Sequence, residues 1–520
     1  MQLIDFFDRG ASLGPHAPCL VEPDGRSLSY AEVASLTHRI ANGLQAAGMD
    51  SQSQVGFLTL NHLLTMVAVL GTVRSSGVWL PVNARNSAEE NVNILARGGC
   101  RFLFIHSSFA AQLPMLREAI PELRGVVCID RALEDEGVPS LEAWAARQSD
   151  APYRSPAVAD DVVAIRGTGG TTGLPKGVLV THRIYGAMMA NWFAAMPVVG
   201  RPVHLAVAPM THAAGAVCFM TMAYGGVTIV APSADPAGIL RAIERYRVTQ
   251  LFLPPTVIYK LLAHPALREH DYSSLRYFIY SAAPMSVDKL REALDVFGPV
   301  MVQCYGQAEA PFICTCLTPQ DHADILADPA LHGRLASCGR ASPFVRVRIM
   351  DAQGQLLPPG ERGELVVQGD IVMKGYYNDP QKTAETLKHG WLHTGDVGYM
   401  DEDGYFYVVD RLKDLIVSGG FNISPGEIEQ LLWTLPAVSD CAVIGVPDTT
   451  WGEAVKAVVE LKPGQTLDAD AALALCRERL GGMKAPKSIE VWEQLPRSAV
   501  GKVLKREIRE RFWQGQSRRV

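Results

Sequence analysis

Short apolar runs, each followed by a helix-like stretch, constrain what this chain can fold into more than any other feature. Val55-Gly56-Phe57-Leu58 reads as a strand and the apolar segment Leu63–Val73 as a buried helix. Strands follow at Phe102–Ile105, Val126–Ile129 and Val162–Ile165. Farther on, Val227–Val230 precedes a helix near Ile239–Tyr246, Leu251–Leu253 a shorter one, and Tyr277–Tyr280 the helix Val287–Phe297. Alternation of this kind predicts an α/β fold, with parallel-rich sheets flanked by helices on both faces. Near the N-terminus, Ser29-Tyr30-Ala31-Glu32 has capping-box spacing, and Val33, Leu36, Ile40 and Leu44 then share one helical face up to Gly48.

From about Val345 the texture changes. Val345–Ile349 alternates apolar and charged residues, and Gly363–Val367 and Tyr405–Val409 are further strands between Gly/Asp turns. They predict a small β-barrel-like part closing a large N-terminal domain, residues 1–412. The remaining residues, 413–520, predict a small α+β domain: helix Pro425–Leu435, strands Cys441–Val446 and Val455–Leu461, helix Ala471–Leu480 and strand Ile489–Trp492.

The stretch Thr168–Gly177, Thr-Gly-Gly-Thr-Thr-Gly-Leu-Pro-Lys-Gly, lies between two apolar runs. Its glycines let backbone N–H groups approach a ligand, and Thr171, Thr172 and Lys176 add donors and positive charge suited to a polyphosphate. No Asp or Glu occurs from Val162 to Ala234, a span that holds Arg166, Lys176, Arg183 and Arg201. A Walker loop is excluded because Lys176 follows Pro175 and precedes Gly177. A dinucleotide loop is excluded by the missing last glycine and the missing ribose acid.

Composition narrows the class. The 520 residues carry a net charge of -6, which argues against a general nucleic-acid partner. No apolar stretch is long enough for a membrane span, and no secretory signal is seen. Ten cysteines show no CxxC pair, and Cys314-x-Cys316 lacks zinc-site neighbours, so they read as reduced core thiols. A cytoplasmic enzyme is the expectation, and the composition leaves a homodimer open.

Other local patterns accompany the loop: Pro209–Gly215 around His212, Ser281-Ala282-Ala283-Pro284, Tyr305-Gly306-Gln307-Ala308-Glu309, Trp391–Asp396, Asp410–Asp414 and Pro496–Lys502. In this order and spacing the chain resembles the adenylate-forming superfamily, most closely its AMP-forming acyl-CoA synthetases, from about Ser29 to Arg509. The resemblance implies activation of a carboxylic acid with MgATP to an acyl-adenylate, release of pyrophosphate, and transfer of the acyl group to a thiol. It also implies a small domain that rotates between the two half-reactions.

Carried over residue by residue, Thr168, Gly169, Gly170, Thr171, Thr172, Gly173 and Lys176 would hold the β- and γ-phosphates. Asp396 would accept both ribose hydroxyls, with Arg411 nearby. Tyr305 would stack against adenine, and Ala282 and Ala283 would pack close to it. Glu309 would help hold Mg²⁺, a hard cation suited to carboxylate oxygen. Lys502 would reach from the small domain to the α-phosphate and the substrate carboxylate. His212 would border the acid site, Lys413 would be the hinge, and Ser418, Gly419 and Gly420 would form a CoA-side loop. ATP, Mg²⁺ and CoA are thus the implied co-substrates.

Two departures from the family pattern stand out. Ala308 occupies a position where threonine is usual, and Ser281 one where glycine is common. Within the implied acid-binding segments (213–216, 281–285 and 304–313), Ala213, Ala214, Gly215, Ala216, Ala282, Ala283, Met285, Cys304, Ala310, Pro311, Phe312 and Ile313 are small or apolar with no arginine among them, which favours a fatty or aryl acid over a dicarboxylate. His212 stands where amino-acid activators place an aspartate. The competing readings are an acyl-AMP ligase that loads a carrier protein, and a non-catalytic acyl or nucleotide binder on the same fold.

Overall fold

A computed structural model describes residues 1–168, 176–412, 414–418, 421–449, 451–498 and 501–514. Among these residues the large domain is built on two parallel-rich sheets. The first has nine strands, and its six central ones run parallel in the order Met301–Gln307, Tyr277–Tyr280, Gln250–Leu253, Val203–Ala206, Val227–Val230, Pro18–Val21. The second has seven strands, with Val162–Thr168, Val78–Pro81, Gln54–Leu58, Cys100–Ile105 and Gly125–Cys128 parallel. Antiparallel strands close the edges: Ala310–Leu317 on the first sheet, Lys176–Thr181 and Gly375–Tyr376 on the second.

The helices read from the sequence at Tyr30–Ala46, Leu63–Arg74 and Val287–Phe297 form as expected, whereas Ile4–Leu13, His182–Ala195 and Ala213–Met222 are not read there. Tyr30–Ala46 starts at the expected capping box, with Ser29 and Glu32 exchanging side-chain and backbone bonds. Val287–Phe297 has the expected limits, and Leu63–Arg74 is buried along its whole length. Leu63–Arg74 shares one core with the helices Ile4–Leu13, His182–Ala195 and Ala213–Met222. The expected β-rich part is a wholly antiparallel sheet containing Arg346–Met350, Gly363–Gln368, Trp391–Met400 and Phe406–Arg411. The C-terminal strands Ile416–Ser418, Val438–Asp448, Gly452–Leu461 and Ser488–Trp492 form a separate sheet with its own apolar cluster under the helix Pro425–Trp433. Among the described residues no helix is long and apolar enough to cross a membrane.

Candidate active site

Parallel strands send the loops after them to a single edge of the sheet, and in α/β folds ligands bind there. At this edge lie His212, after Val203–Ala206; Thr256, after Gln250–Leu253; Ser281-Ala282-Ala283, after Tyr277–Tyr280; and Glu309, just after Met301–Gln307. Residues far apart in sequence become neighbours because the six strands share a direction.

Tyr305, Asp396 and Arg411 form one hydrogen-bonded group. Asp396 and Arg411 face each other across the antiparallel sheet, and Arg411 Nε is 3.0 Å from Asp396 Oδ1. The Tyr305 hydroxyl donates to Asp396 Oδ2 at 2.7 Å. Burial, reinforced by the Asp396 charge, pushes the Tyr305 phenol well above its ordinary pKa, so it stays a donor. The irregular stretch of strand that carries Asp396 is pinned by a residue that sequence reasoning missed. Glu364 Oε1 accepts from Gly395 N at 2.8 Å, while Glu364 Oε2 lies 2.6 Å from His393 Nδ1. Asp396 is 5% exposed, and each of its oxygens keeps a lone pair beyond the bond it makes here.

Glu309 sits at the turn between Met301–Gln307 and Ala310–Leu317. This hairpin is tight at Gly306, where an added Cβ would come within 2.7 Å of Phe312 N and 2.8 Å of Ala310 O. Phe312 itself has φ 71°, a costly conformation for a bulky residue, and is held there by its ring contacts with Trp192 and Phe252. Glu309 Oε1 accepts from the Tyr376 hydroxyl at 2.8 Å, and Lys176 Nζ lies 5.4 Å from the centre of the same ring. Tyr376 is a second residue missed in the sequence. It reaches the site because Gly375–Tyr376 pairs with Lys176–Thr181. The aromatic pair Tyr376-Tyr377 after Gly375 was its only local signal.

His212 precedes the helix Ala213–Met222, its Nδ1 3.0 Å from Thr211 Oγ1. Burial, with the Arg166 guanidinium adding to it, pushes its pKa down to about 4, so the ring is neutral near pH 7. Arg166 NH2 donates to the His212 carbonyl at 3.3 Å and to the Tyr185 hydroxyl at 2.7 Å. The three acid-site segments hold no arginine, as read from the sequence, but the fold brings Arg166 to their border. Ala282 is exposed at this edge in a left-handed conformation, φ 74°, beside the half-buried Ala283. Ala214, Ala216, Cys304, Ala310 and Ile313 are buried in the adjoining core.

The Lys502 segment comes to the same edge. A Cβ added at Gly501 would lie 3.1 Å from Thr256 Oγ1, and Lys502 N donates to Ser498 Oγ at 3.1 Å. Flanking the expected hinge, Asp410 Oδ2 accepts from Gly426 N at 2.9 Å and from Ser424 Oγ at 3.0 Å. Asp414 pairs with Arg509 at 3.1 Å. Ser418 is buried and pairs with Gly452. Thr168 pairs through its backbone with Lys176. Gly169, Gly170, Thr171, Thr172, Gly173, Lys413, Gly419 and Gly420, to which the sequence assigns roles, lie outside the described residues.

Comparison with known proteins shows the family of the chain. Residues 7–377 match the AMP-binding enzyme family and residues 427–502 its C-terminal domain. The chain belongs to this family, the adenylate-forming acyl-CoA synthetases. It is 40% identical over 506 residues to a feruloyl-CoA synthase from an Amycolatopsis species, covering 97% of this chain and 98% of the relative. It is 36% identical to the medium/long-chain-fatty-acid–CoA ligase FadD8 of Mycobacterium tuberculosis, over 97% and 89% of the two chains. The ATP-bound crystal structure of MatB from Rhodopseudomonas palustris superposes with a TM-score of 0.88 at 30% identity, over 98% and 99% of the chains.

Proposed function

We propose that this AMP-forming ligase activates a fatty or aryl carboxylic acid to its acyl-adenylate and then transfers the acyl group to CoA. The observation that carries the reading is the meeting, at one sheet edge, of the Tyr305–Asp396–Arg411 group with the Lys502 segment of the small domain. Asp396 offers its remaining lone pairs to the two ribose hydroxyls, and Tyr305, held by its hydroxyl, presents its ring to the adenine between Ala282 and Ala283. Thr168 and Lys176, with the glycine-rich stretch 169–173, hold the β- and γ-phosphates.

Glu309 fits a magnesium site. One of its oxygens is already fixed by Tyr376, and the other is a hard donor. Among the described residues no group of three or more His, Cys, Asp or Glu forms a metal cage. That agrees with Mg²⁺ binding through one carboxylate plus substrate phosphates. When bound, the ion neutralises phosphate charge.

In the first half-reaction a carboxylate oxygen of the acid attacks the α-phosphorus and the bond to pyrophosphate breaks. Lys502 places its ammonium where negative charge builds up, a placement worth about 10²- to 10³-fold in comparable sites. Neutral His212 borders the acid without adding charge. In the second, the CoA thiolate attacks the acyl carbon and AMP leaves. Residues 413–520 turn about Lys413 between the two steps, and Ser418, Gly419 and Gly420 then line the path of the thiol. The names of the relatives support both halves: feruloyl-CoA synthase is named for an aryl acid, FadD8 for fatty acids. Ala308 and Ser281 alter the pocket floor and remove no charged group. All ten cysteines are free and buried, which suits a reducing cytoplasm.

Acid-dependent exchange of labelled pyrophosphate into ATP, measured over a panel of fatty and aryl acids, tests the first half. Exchange with at least one class is expected. No exchange with any acid would contradict the reading.

A further inference from the structure

Arg166 is unusual among the cations of this chain. It leaves the strand Val162–Thr168 half-buried, with its guanidinium 5.2 Å from the centre of the Trp79 ring and 5.6 Å from that of Tyr185. Among the described residues, which include every Asp and Glu of the chain, it has no carboxylate partner. NH2 is used by the Tyr185 hydroxyl and the His212 carbonyl, while Nε is buried without an acceptor.

Its indole neighbour has the same deficit. Trp79 is fully buried, yet its Nε1–H has no acceptor among the described residues. Tyr185 accepts from Arg166. Two donors in one packed group, Arg166 Nε and Trp79 Nε1, thus meet no acceptor among the described residues. Leaving a buried donor unpaired is costly, and native proteins pair nearly all of them.

The group adjoins the acid-binding segment. The indole that lies against Arg166 also backs Gly215, where an added Cβ would come 3.1 Å from Trp79 Cη2 and 2.0 Å from Met210 O. Gly215, itself one of the acid positions in the first turn of the helix Ala213–Met222, is thus packed directly against this group. The rest of the lining is small and apolar. A pocket with mostly apolar walls and one cluster of donors selects orientation through that cluster.

We propose that Arg166, with Tyr185 and Trp79, recognises an acceptor oxygen on the tail of the acid. The preferred substrate is then an oxygen-bearing fatty or aryl acid in which a hydroxyl, ether, keto or second carboxylate oxygen meets the guanidinium. This inference rests on the ligase reading above. A charged donor to a substrate oxygen is worth about 10- to 100-fold in selectivity, and discrimination grows when loss of the oxygen leaves a buried donor unpaired.

The test compares kcat/KM for acyl-AMP formation on acids of matched size with and without a tail oxygen, in the full-length protein. The neutral-oxygen and carboxylate arms are run separately to tell the two sources apart. Wild type is expected to favour one oxygenated arm by at least about tenfold. Arg166→Met is expected to shrink that ratio towards one, and Arg166→Lys to leave it intermediate. Tyr185→Phe keeps the ring and removes the hydroxyl, and should lower the ratio even if Arg166→Met fails to fold. Equal use of plain and oxygenated acids by wild type would overturn the proposal while leaving the ligase intact. So would equal loss on both acids in Arg166→Met, since Arg166 would then serve the reacting carboxylate. No turnover of any acid would instead sink the ligase reading itself.

Discussion

The two halves of the site solve opposite problems. On the nucleotide side the carboxylates are all paired: Asp396 is bonded to Tyr305 and Arg411, Glu309 to Tyr376, and Glu364 to Gly395 N. On the acid side Arg166 Nε and Trp79 Nε1 meet no acceptor among the described residues, and Tyr185 is bonded to Arg166. A prearranged network fits a co-substrate that is the same in every turnover, because its geometry costs no reorganisation when the ligand arrives. A surplus of donors fits the variable partner, whose own oxygens complete the site. On the proposed roles the nucleotide half is built for rate and the acid half for choice.

The largest expected effect probes the rate side. Lys502→Ala should slow acyl-adenylate formation by about 10²- to 10³-fold while thioester formation from supplied acyl-adenylate changes only a few-fold. Equal loss in both steps, read by single-turnover assays, would remove the role assigned to Lys502.

A smaller effect is expected within the prearranged network. Asp396→Asn keeps the shape but loses the charge that binds Arg411 and that is proposed to meet the ribose. Its KM for ATP should rise by roughly 10- to 100-fold, from the loss of charged hydrogen bonds. The preference among acids should not move. A change in acid preference as large as the change for ATP would show that the two halves are not separable.

The smallest effect is on stability. Burial pushes His182, His204, His212 and His322 down to about 4, His212 helped by Arg166 and the others partly opposed by nearby acids or backbone acceptors. In the unfolded chain they titrate near 6.5. Between those values the unfolded chain takes up protons that the folded chain refuses, so stability is full above about pH 6.5 and falls as the pH drops towards 4. A tenfold difference in proton affinity between the two states corresponds to about 1.4 kcal/mol. Denaturation midpoints should therefore decline from pH 7 to 4.5, and His204→Gln should flatten the decline. A midpoint independent of pH in that range would contradict the neutral state of these rings.

Much of the fold was legible because local pattern and tertiary role agree. Val227–Val230 and Val287–Phe297 have the limits their apolar periodicity predicts, and the Ser29–Glu32 capping box forms as read. The helix Ile4–Leu13 buries Ile4, Phe7 and Gly10 on one face, a spacing that could have revealed it. The site was legible where chemistry is concentrated in a motif, as at Tyr305–Glu309 and Trp391–Asp396. It was not where a residue takes its role from a distant strand. Tyr376 reaches Glu309 through pairing with Val178, and Glu364 supports Asp396 from a neighbouring strand. Arg166 stood out in the acid-free stretch, but its partners Trp79 and Tyr185 are brought to it by sheet pairing and helix packing.

One reaction tests the central claim most directly. Protein, ATP, Mg²⁺, CoA and an accepted acid are combined, and AMP and thioester are measured together, with CoA omitted in a parallel sample. The account predicts equal amounts of AMP and acyl-CoA, with sustained AMP formation only when CoA is present. AMP that accumulates equally fast with and without CoA, and no thioester, would contradict it.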